Sequence, residues 1–254
     1  MFNEHISSVM KTLRKTGAAA LLATGMLLAQ GGGLPAHAKG PLPIPQALFP
    51  ITHPVGQQRL TDTDYNQAYW PLSAYFETQK NQAYCSVATS VIALNALDIP
   101  RPKSADYPDF PFFTQQNFFD NVEKSVADPD IVSREGMTLD QLVKVLGQFP
   151  VTAMPHHAHT LSLDQFRSLI VDNVRYDDRF VLLNFDRKAI NEIGGGHWSP
   201  LAAYHPASDS ALVLDVARYK YPPMWVPVAE LYQAAQSADD VSGISRGIVV
   251  MARQ

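Results

Sequence analysis

Residues 86–97, Ser-Val-Ala-Thr-Ser-Val-Ile-Ala-Leu-Asn-Ala-Leu, form the stretch that decides the fold. Apolar side chains recur there at helical spacing, at Val87, Val91 and Leu94. Pro100 follows shortly after the stretch and cannot continue a helix. The pattern therefore predicts a buried helix that carries Cys85 at its first turn.

Two further helices follow from capping residues that precede apolar periodicity. Thr138 opens the segment 138–146 and Ser162 opens the segment 162–170, and each hydroxyl is suited to cap a helix N-terminus. Residues 101–118 are rich in proline and aromatic side chains, which favours an irregular packed loop. Residues 39–58 contain several prolines and little charge, and are interpreted as an extended arm.

The second half of the chain is richer in predicted strands. Short apolar runs bounded by turn residues occur at Phe180–Phe185, Trp198–Tyr204, Ala211–Val216 and Gly247–Met251. Helices followed by antiparallel strands indicate an α+β fold. Because no long linker divides the two halves, residues 39–254 are interpreted as one domain.

Composition narrows the class of partner. The 254 residues are 46% hydrophobic and 17% charged, with a formal net charge of −4 and no run of lysines and arginines. Nucleic acids and anionic membranes attract strongly basic surfaces, so neither is expected as the main partner. A small or neutral substrate fits this balance better, and the sequence leaves a homodimer open.

The N-terminus has the layout of a secretory signal peptide. Lys11, Arg14 and Lys15 precede the apolar stretch 17–29, and the small-residue motif Ala-His-Ala at 36–38 follows. About thirteen apolar residues are too few to span a bilayer comfortably. We therefore expect residues 1–38 to be removed and the remaining chain to be exported, to the periplasm, with no membrane attachment.

The chain contains one cysteine, Cys85. Exported proteins usually pair their cysteines, and a single cysteine cannot form an internal disulfide. A buried apolar cysteine is one interpretation, because free cysteine is common in protein cores. A nucleophile is the other, and the start of a helix favours it because the positive helix end stabilises a thiolate. Gln79, just upstream, is a candidate amide donor for the oxyanion of a tetrahedral intermediate.

His197 and Asp215 are the candidate base and its orienting carboxylate. Three glycines precede His197, which would leave one face of the imidazole open to a ligand. A hairpin between Trp198–Tyr204 and Ala211–Val216, symmetric about the turn 205–209, would bring His197 next to Asp215. The aspartate could then fix the histidine tautomer, although a one-residue slip would separate the two side chains.

The remaining histidines are weaker candidates. His156, His157 and His159 form an H-H-x-H cluster that could bind a metal ion, but the usual cysteine or acidic partners are missing nearby. The sequence favours a surface loop here and assigns no metal ligands.

Three sequence blocks resemble the phytochelatin synthase family, in particular its short bacterial members. They are TQKNQAYCSVA at residues 78–88, GGGHWSPL at residues 194–201 and LDVARYKYPPMWV at residues 214–226. The resemblance extends roughly from Leu48 to Met251 and implies a papain-like cysteine peptidase fold. It also implies roles for seven residues: a triad of Cys85, His197 and Asp215, an oxyanion donor Gln79, and Asn184, Gly196 and Arg246 around a γ-glutamyl group. The charge of Arg246 suits an α-carboxylate.

The resemblance implies glutathione and related γ-glutamyl peptides as substrates. Members of the family release glycine, keep a γ-glutamylcysteinyl thioester, and pass it to water or to a second glutathione to make a phytochelatin. No cofactor is expected, while heavy-metal ions such as Cd and Zn would arrive as glutathione thiolates. The sequence ends at Gln254 without the cysteine-rich extension of plant members, so hydrolysis is expected to be the main activity. A general cysteine endopeptidase and a non-catalytic periplasmic thiol- or metal-binding protein are the alternatives.

Overall fold

The computed structural model describes residues 41–254, which belong to one compact unit. The predicted signal peptide at residues 1–38 and its cleavage site lie outside the described residues. The described part of the chain contains seven α-helices: α1 Pro54–Thr61, α2 Tyr69–Ala74, α3 Cys85–Ala96, α4 Pro129–Glu135, α5 Leu139–Leu146, α6 Leu163–Val174 and α7 Val228–Gln236. None of these helices is both long enough and apolar enough to cross a bilayer.

A seven-stranded antiparallel sheet forms the other layer. Its strands are β1 Phe49–Pro50, β2 Val151–His157, β3 Arg179–Asp186, β4 Gly196–His205, β5 Ser210–Val213, β6 Met224–Pro227 and β7 Gly247–Arg253. Their spatial order is β1-β6-β5-β4-β3-β7-β2. The α+β class predicted from the sequence is confirmed, and the arrangement is consistent with a papain-like fold.

Helix α3 is the central helix and packs against β4. Eleven of its twelve residues are buried, from Cys85 to Asn95. A helix that is apolar around most of its circumference must be enclosed by the rest of the protein. The predicted buried helix with Cys85 at its start is therefore confirmed.

Helices α5 and α6 begin where their capping residues predicted. Thr138 and Gln141 form a reciprocal capping box at α5, and Ser162 and Gln165 do the same at α6. In each box the hydroxyl and the amide side chain satisfy backbone N–H groups that have no partner inside the helix.

The four predicted strands are present as β3, β4, β5 and β7, but β5 ends at Val213 rather than at Val216. The ladder between β4 and β5 stops at the pair Leu201–Val213, next to Pro200, which has no N–H to donate to a ladder. Asp215 consequently lies just beyond the strand.

The surface-loop interpretation of the histidine cluster is wrong for two of its three members. His156 and His157 lie in strand β2, which pairs with β7 along its whole length at the edge of the sheet. The strand contains Pro155, and prolines are tolerated mainly in edge strands, where an N–H can be dispensed with. The sequence did not predict this strand because it contains a proline and because buried and exposed residues alternate only weakly along it.

Candidate active site

Cys85 is the first residue of α3, and its side chain lines a cavity of about 690 Å³. The backbone N–H groups of Trp198 and Ser86 lie near its sulfur and favour the thiolate form. His197 and Trp198 from β4 line the same cavity. Sites that hold small molecules commonly measure about 300–1,000 Å³, so this cavity has the size of a substrate site.

His197 contacts Asp215 as the hairpin symmetry predicted. Its Nε2 lies 3.1 Å from Oδ1 of Asp215, and both side chains are buried. The register is less regular than expected, because a bulge at Ala202 shifts the pairing by one residue between Leu201 and Ala203. The ring of Phe185 packs edge-on against the imidazole, with ring centroids 5.6 Å apart.

The charge on Asp215 determines which imidazole nitrogen carries the proton. Burial alone would raise the pKa of Asp215, but His197 and the Arg187 guanidinium outweigh it and lower that pKa below its usual range. An ionised carboxylate can only accept, so Nε2–H of His197 is the donor. The lone pair of Nδ1 is then free to take a proton, as a general base requires.

The thiol is not activated in the way that its position at a helix start suggested. Burial raises the pKa of Cys85, although the N–H groups of Trp198 and Ser86 and the charge of Arg187 oppose that shift. Burial also lowers the pKa of His197 to about 4, and Arg187 acts in the same direction. Both shifts therefore favour a neutral thiol and a neutral imidazole.

A buried ionic network lies behind His197 and Asp215, and sequence reasoning missed it. Arg187 contacts both oxygens of Asp215, at 2.8 Å from Nη2 and 2.7 Å from Nη1, and also contacts Glu192. All three side chains are almost fully buried. Arg187 follows directly after the buried strand β3, and a charge in that place needs a partner, as was argued for Asp215. A charged residue directly after a buried strand is the sequence signal that could have identified Arg187.

The glycines before His197 make room for two arginines. A Cβ at Gly194, where φ is +142°, would lie 2.8 Å from Cδ of Arg187, and a Cβ at Gly196 would overlap the guanidinium of Arg246. A Cβ at Gly195 would meet nothing within 4 Å. Two of the three glycines therefore also accommodate the buried cations.

The three predicted substrate-binding residues contact one another, and two of them, Gly196 and Arg246, line the cavity. Nη1 of Arg246 donates to Oδ1 of Asn184 at 3.1 Å and to Oδ2 of Asp239 at 2.7 Å, and Gly196 packs against the same guanidinium. Within the described residues, Nδ2 of Asn184 and Nε of Arg246 are buried without a hydrogen-bond partner. Buried donors of this kind are costly unless a ligand satisfies them. Asp239, which also lines the cavity, was not singled out by the sequence.

Gln79 is close to the site but is held by the chain itself. Its Nε2 donates to the carbonyl of Asn81 at 2.7 Å and to the hydroxyl of Tyr219 at 2.9 Å. Gln79 is buried and is not among the residues that line the cavity. Its role as oxyanion donor stays a prediction.

The histidine cluster makes structural contacts. His157 bonds Asp140 through Nε2 at 3.0 Å and the carbonyl of Ser245 through Nδ1 at 2.7 Å, while Nδ1 of His159 lies 2.8 Å from the hydroxyl of Ser245. Among residues 41–254, no group of three or more His, Cys, Asp or Glu side chains is arranged to hold a metal ion. The histidine cluster therefore contacts Ser245, the residue that precedes Arg246.

The opposite pKa shifts of Glu192 and His197 predict a pH dependence of stability. Burial raises the pKa of Glu192 to about 7 from an ordinary 4.5, so folding takes up a proton and stability falls as pH rises through this window. The pKa of His197 falls to about 4 from 6.5, so its contribution rises with pH. The two contributions oppose each other between about pH 4.5 and 6.5.

Glu192→Gln should remove only the contribution of Glu192 to the pH dependence of stability. The free energy of unfolding, measured by urea denaturation, should then rise more steeply with pH than in the wild type, by up to about 1.4 kcal/mol per pH unit. The exposed Glu135→Gln is the matched control and should follow the wild-type curve. Parallel curves for Glu192→Gln and the wild type would contradict the assignment.

Comparisons with known proteins agree on one family. A family model described as phytochelatin synthase matches residues 40–248, which is most of the chain. The chain is 31% identical over 188 residues to glutathione gamma-glutamylcysteinyltransferase 1 of Lotus japonicus and 30% identical over 189 residues to that of Triticum aestivum. It is 26% identical over 183 residues to the enzyme of that name from Schizosaccharomyces pombe. These matches cover 74%, 74% and 72% of this chain but 36%, 36% and 43% of the relatives, so the chain spans less than half of their length.

Proposed function

Because the chain belongs to the phytochelatin synthase family, we propose that it is a thiol-dependent γ-glutamylcysteinyl transferase and hydrolase acting on glutathione. The observation that carries the proposal is the convergence of Cys85, His197 and Arg246 on one cavity, with Asp215 bonded to the histidine. Acyl transfer from such a peptide needs a nucleophile, a base, a carboxylate that orients the base, and a cation that binds a substrate carboxylate.

The proposed reaction begins with attack of the Cys85 sulfur on the carbonyl carbon of the cysteinyl–glycine bond. Nδ1 of His197 takes the thiol proton and passes it to the glycine nitrogen, so glycine leaves as a neutral amine and a thioester remains on Cys85. Asp215 stabilises the transient imidazolium through Nε2. Water, or the amine of a second glutathione, then attacks the thioester, and the incoming proton returns through His197 to the sulfur.

Recognition of the γ-glutamyl end follows from the charges at one end of the cavity. Arg246 suits the α-carboxylate, and Asp239, which contacts that guanidinium, suits the α-ammonium group. The unpartnered amide of Asn184 can donate to the same carboxylate. Gln79 would serve as oxyanion donor by exchanging its bond to Tyr219 for one to the substrate.

A comparison of two isomeric tripeptides tests this proposal. We expect the protein to release glycine from glutathione at least about 100-fold faster than from the α-linked peptide Glu-Cys-Gly, because only the γ-linked isomer presents both charges to Arg246 and Asp239. Intact-mass measurement should detect γ-glutamylcysteine on Cys85. Equal rates for both isomers would favour the general cysteine endopeptidase instead.

Cadmium and zinc enter this proposal as glutathione thiolates, part of the substrate rather than of the protein. We also propose export to the periplasm, on the pattern of residues 1–38, with γ-glutamyl peptides as the substrates and a homodimer left open. Product analysis by mass spectrometry, with and without cadmium, separates phytochelatin synthesis from hydrolysis. Metal uptake without acylation of Cys85 would favour the non-catalytic thiol- or metal-binding protein.

A further inference from the structure

Strand β4 defines the direction in which a substrate must lie. Gly196 and Trp198 are two residues apart along it, about 7 Å, and both line the cavity. Arg246 packs against Gly196. At the other position, Nε1 of Trp198 donates to the carbonyl of Met137 at 2.9 Å, so the segment ending at Met137 packs against Trp198 rather than against Gly196.

The thiol lies at the Trp198 position of the strand. The backbone N–H of Trp198, two residues beyond Gly196 along the strand, lies near the sulfur of Cys85 and favours its thiolate. On the far side, the turn at Gly136 approaches the nucleophile segment, since a Cβ at Gly136 would lie 3.3 Å from the carbonyl of Ala83. A glutathione whose γ-glutamyl end binds Arg246 and whose scissile carbonyl meets Cys85 must therefore extend its glycine towards Gly136.

Three cations line the cavity, and they differ in their partners. Lys124 lies 3.3 Å from Asp128, and Arg246 lies 2.7 Å from Asp239. Arg134 lines the cavity two residues before Gly136, is exposed, and has no carboxylate within 4.0 Å among residues 41–254. It is the cation with a free guanidinium on the side where the glycine carboxylate must lie.

Resting on the function proposed above, we propose that Arg134 binds the glycine carboxylate of glutathione and sets specificity for a free carboxylate on the leaving group. The guanidinium fork matches a carboxylate in a bidentate pair, which is stronger than a neutral hydrogen bond. The pair forms before the cysteinyl–glycine bond breaks and holds the scissile carbonyl against Cys85. Arg246 binds the γ-glutamyl end of glutathione, and Arg134 binds its glycine end.

The test compares two substrates, glutathione and its C-terminal amide, in which an uncharged carboxamide replaces the glycine carboxylate. Arg134→Gln should lower kcat/KM for glutathione about 10- to 100-fold and leave kcat/KM for the amide within twofold of the wild type. Arg134→Lys should recover part of the activity on glutathione, since it keeps the charge without the fork. Lys144→Gln, which changes an exposed cation that does not line the cavity, is the control and should change neither substrate more than twofold.

Two outcomes overturn the inference while the proposed function stands. One is an Arg134→Gln variant that loses activity equally on both substrates, which indicates a structural role. The other is a variant that keeps full activity on glutathione. A wild-type protein that releases nothing from either substrate would instead overturn the proposed function and this inference with it.

Discussion

Replacement of Cys85 by alanine is expected to lower glycine release from glutathione at least about 10⁴-fold, because the remaining groups can position a water but cannot form a thioester. The loss should appear in kcat, measured by following free glycine under saturating glutathione. The acyl adduct should also disappear from the intact-mass spectrum. Cys85→Ser should fail similarly, since a buried hydroxyl is a much poorer nucleophile than sulfur beside this imidazole.

A neighbour on the same helix provides the control for this result. Ser90 is buried in α3, and its hydroxyl bonds the carbonyl of Ser86 within the helix, so Ser90→Ala should keep glycine release within a few-fold. Unchanged glycine release from Cys85→Ala would remove Cys85 from the mechanism. A comparable loss from both variants would attribute the effect to the helix rather than to the thiol.

Removing Arg187, the cation that contacts Asp215 and Glu192, is expected to have the largest effect on stability. Arg187→Gln leaves Asp215 and Glu192 buried without the charge that lies between them, and breaking a buried ion pair on one side commonly costs about 3–5 kcal/mol. The free energy of unfolding from urea denaturation measures this cost. The more exposed pair of Arg179 with Asp178 offers the control, and Arg179→Gln should cost about 1 kcal/mol or less.

A double variant distinguishes lost charge balance from lost packing. Adding Glu192→Gln to Arg187→Gln removes one uncompensated carboxylate, so the double variant should be more stable than Arg187→Gln alone. Asp215 then keeps its bond to His197. A double variant whose loss equals the sum of the two single losses would show that packing of the long Arg187 side chain accounts for the effect.

Local patterns predicted the parts of the site that short stretches of sequence encode. The apolar periodicity after Cys85 identified α3, and capping residues identified the starts of α5 and α6. Symmetry about a hairpin turn brought His197 to Asp215, and their contact survived the bulge at Ala202 because Asp215 lies just past the strand end. These inferences succeeded because helix and strand periods act over a few residues.

Edge strand β2 and the environment of the thiol were harder to predict. Pro155 broke the alternation that identifies strands, and pairing with β7 decided the outcome. The start of a helix suggested an acidic thiol, whereas enclosure of Cys85 raises its pKa. The burial of a group depends on which residues from the rest of the chain surround it. A local sequence pattern therefore cannot predict the effect of burial on a pKa.

The sequence by itself determined the central helix, the antiparallel strands and the family resemblance, and it supplied the residues of the proposed triad. The tertiary structure decided that Cys85 and His197 share a cavity, that Arg187 joins Asp215 to Glu192, and that Asp239 meets Arg246. The physical reason is that secondary structure follows from neighbours along the chain, whereas the partner and protonation of a buried charge follow from neighbours in space.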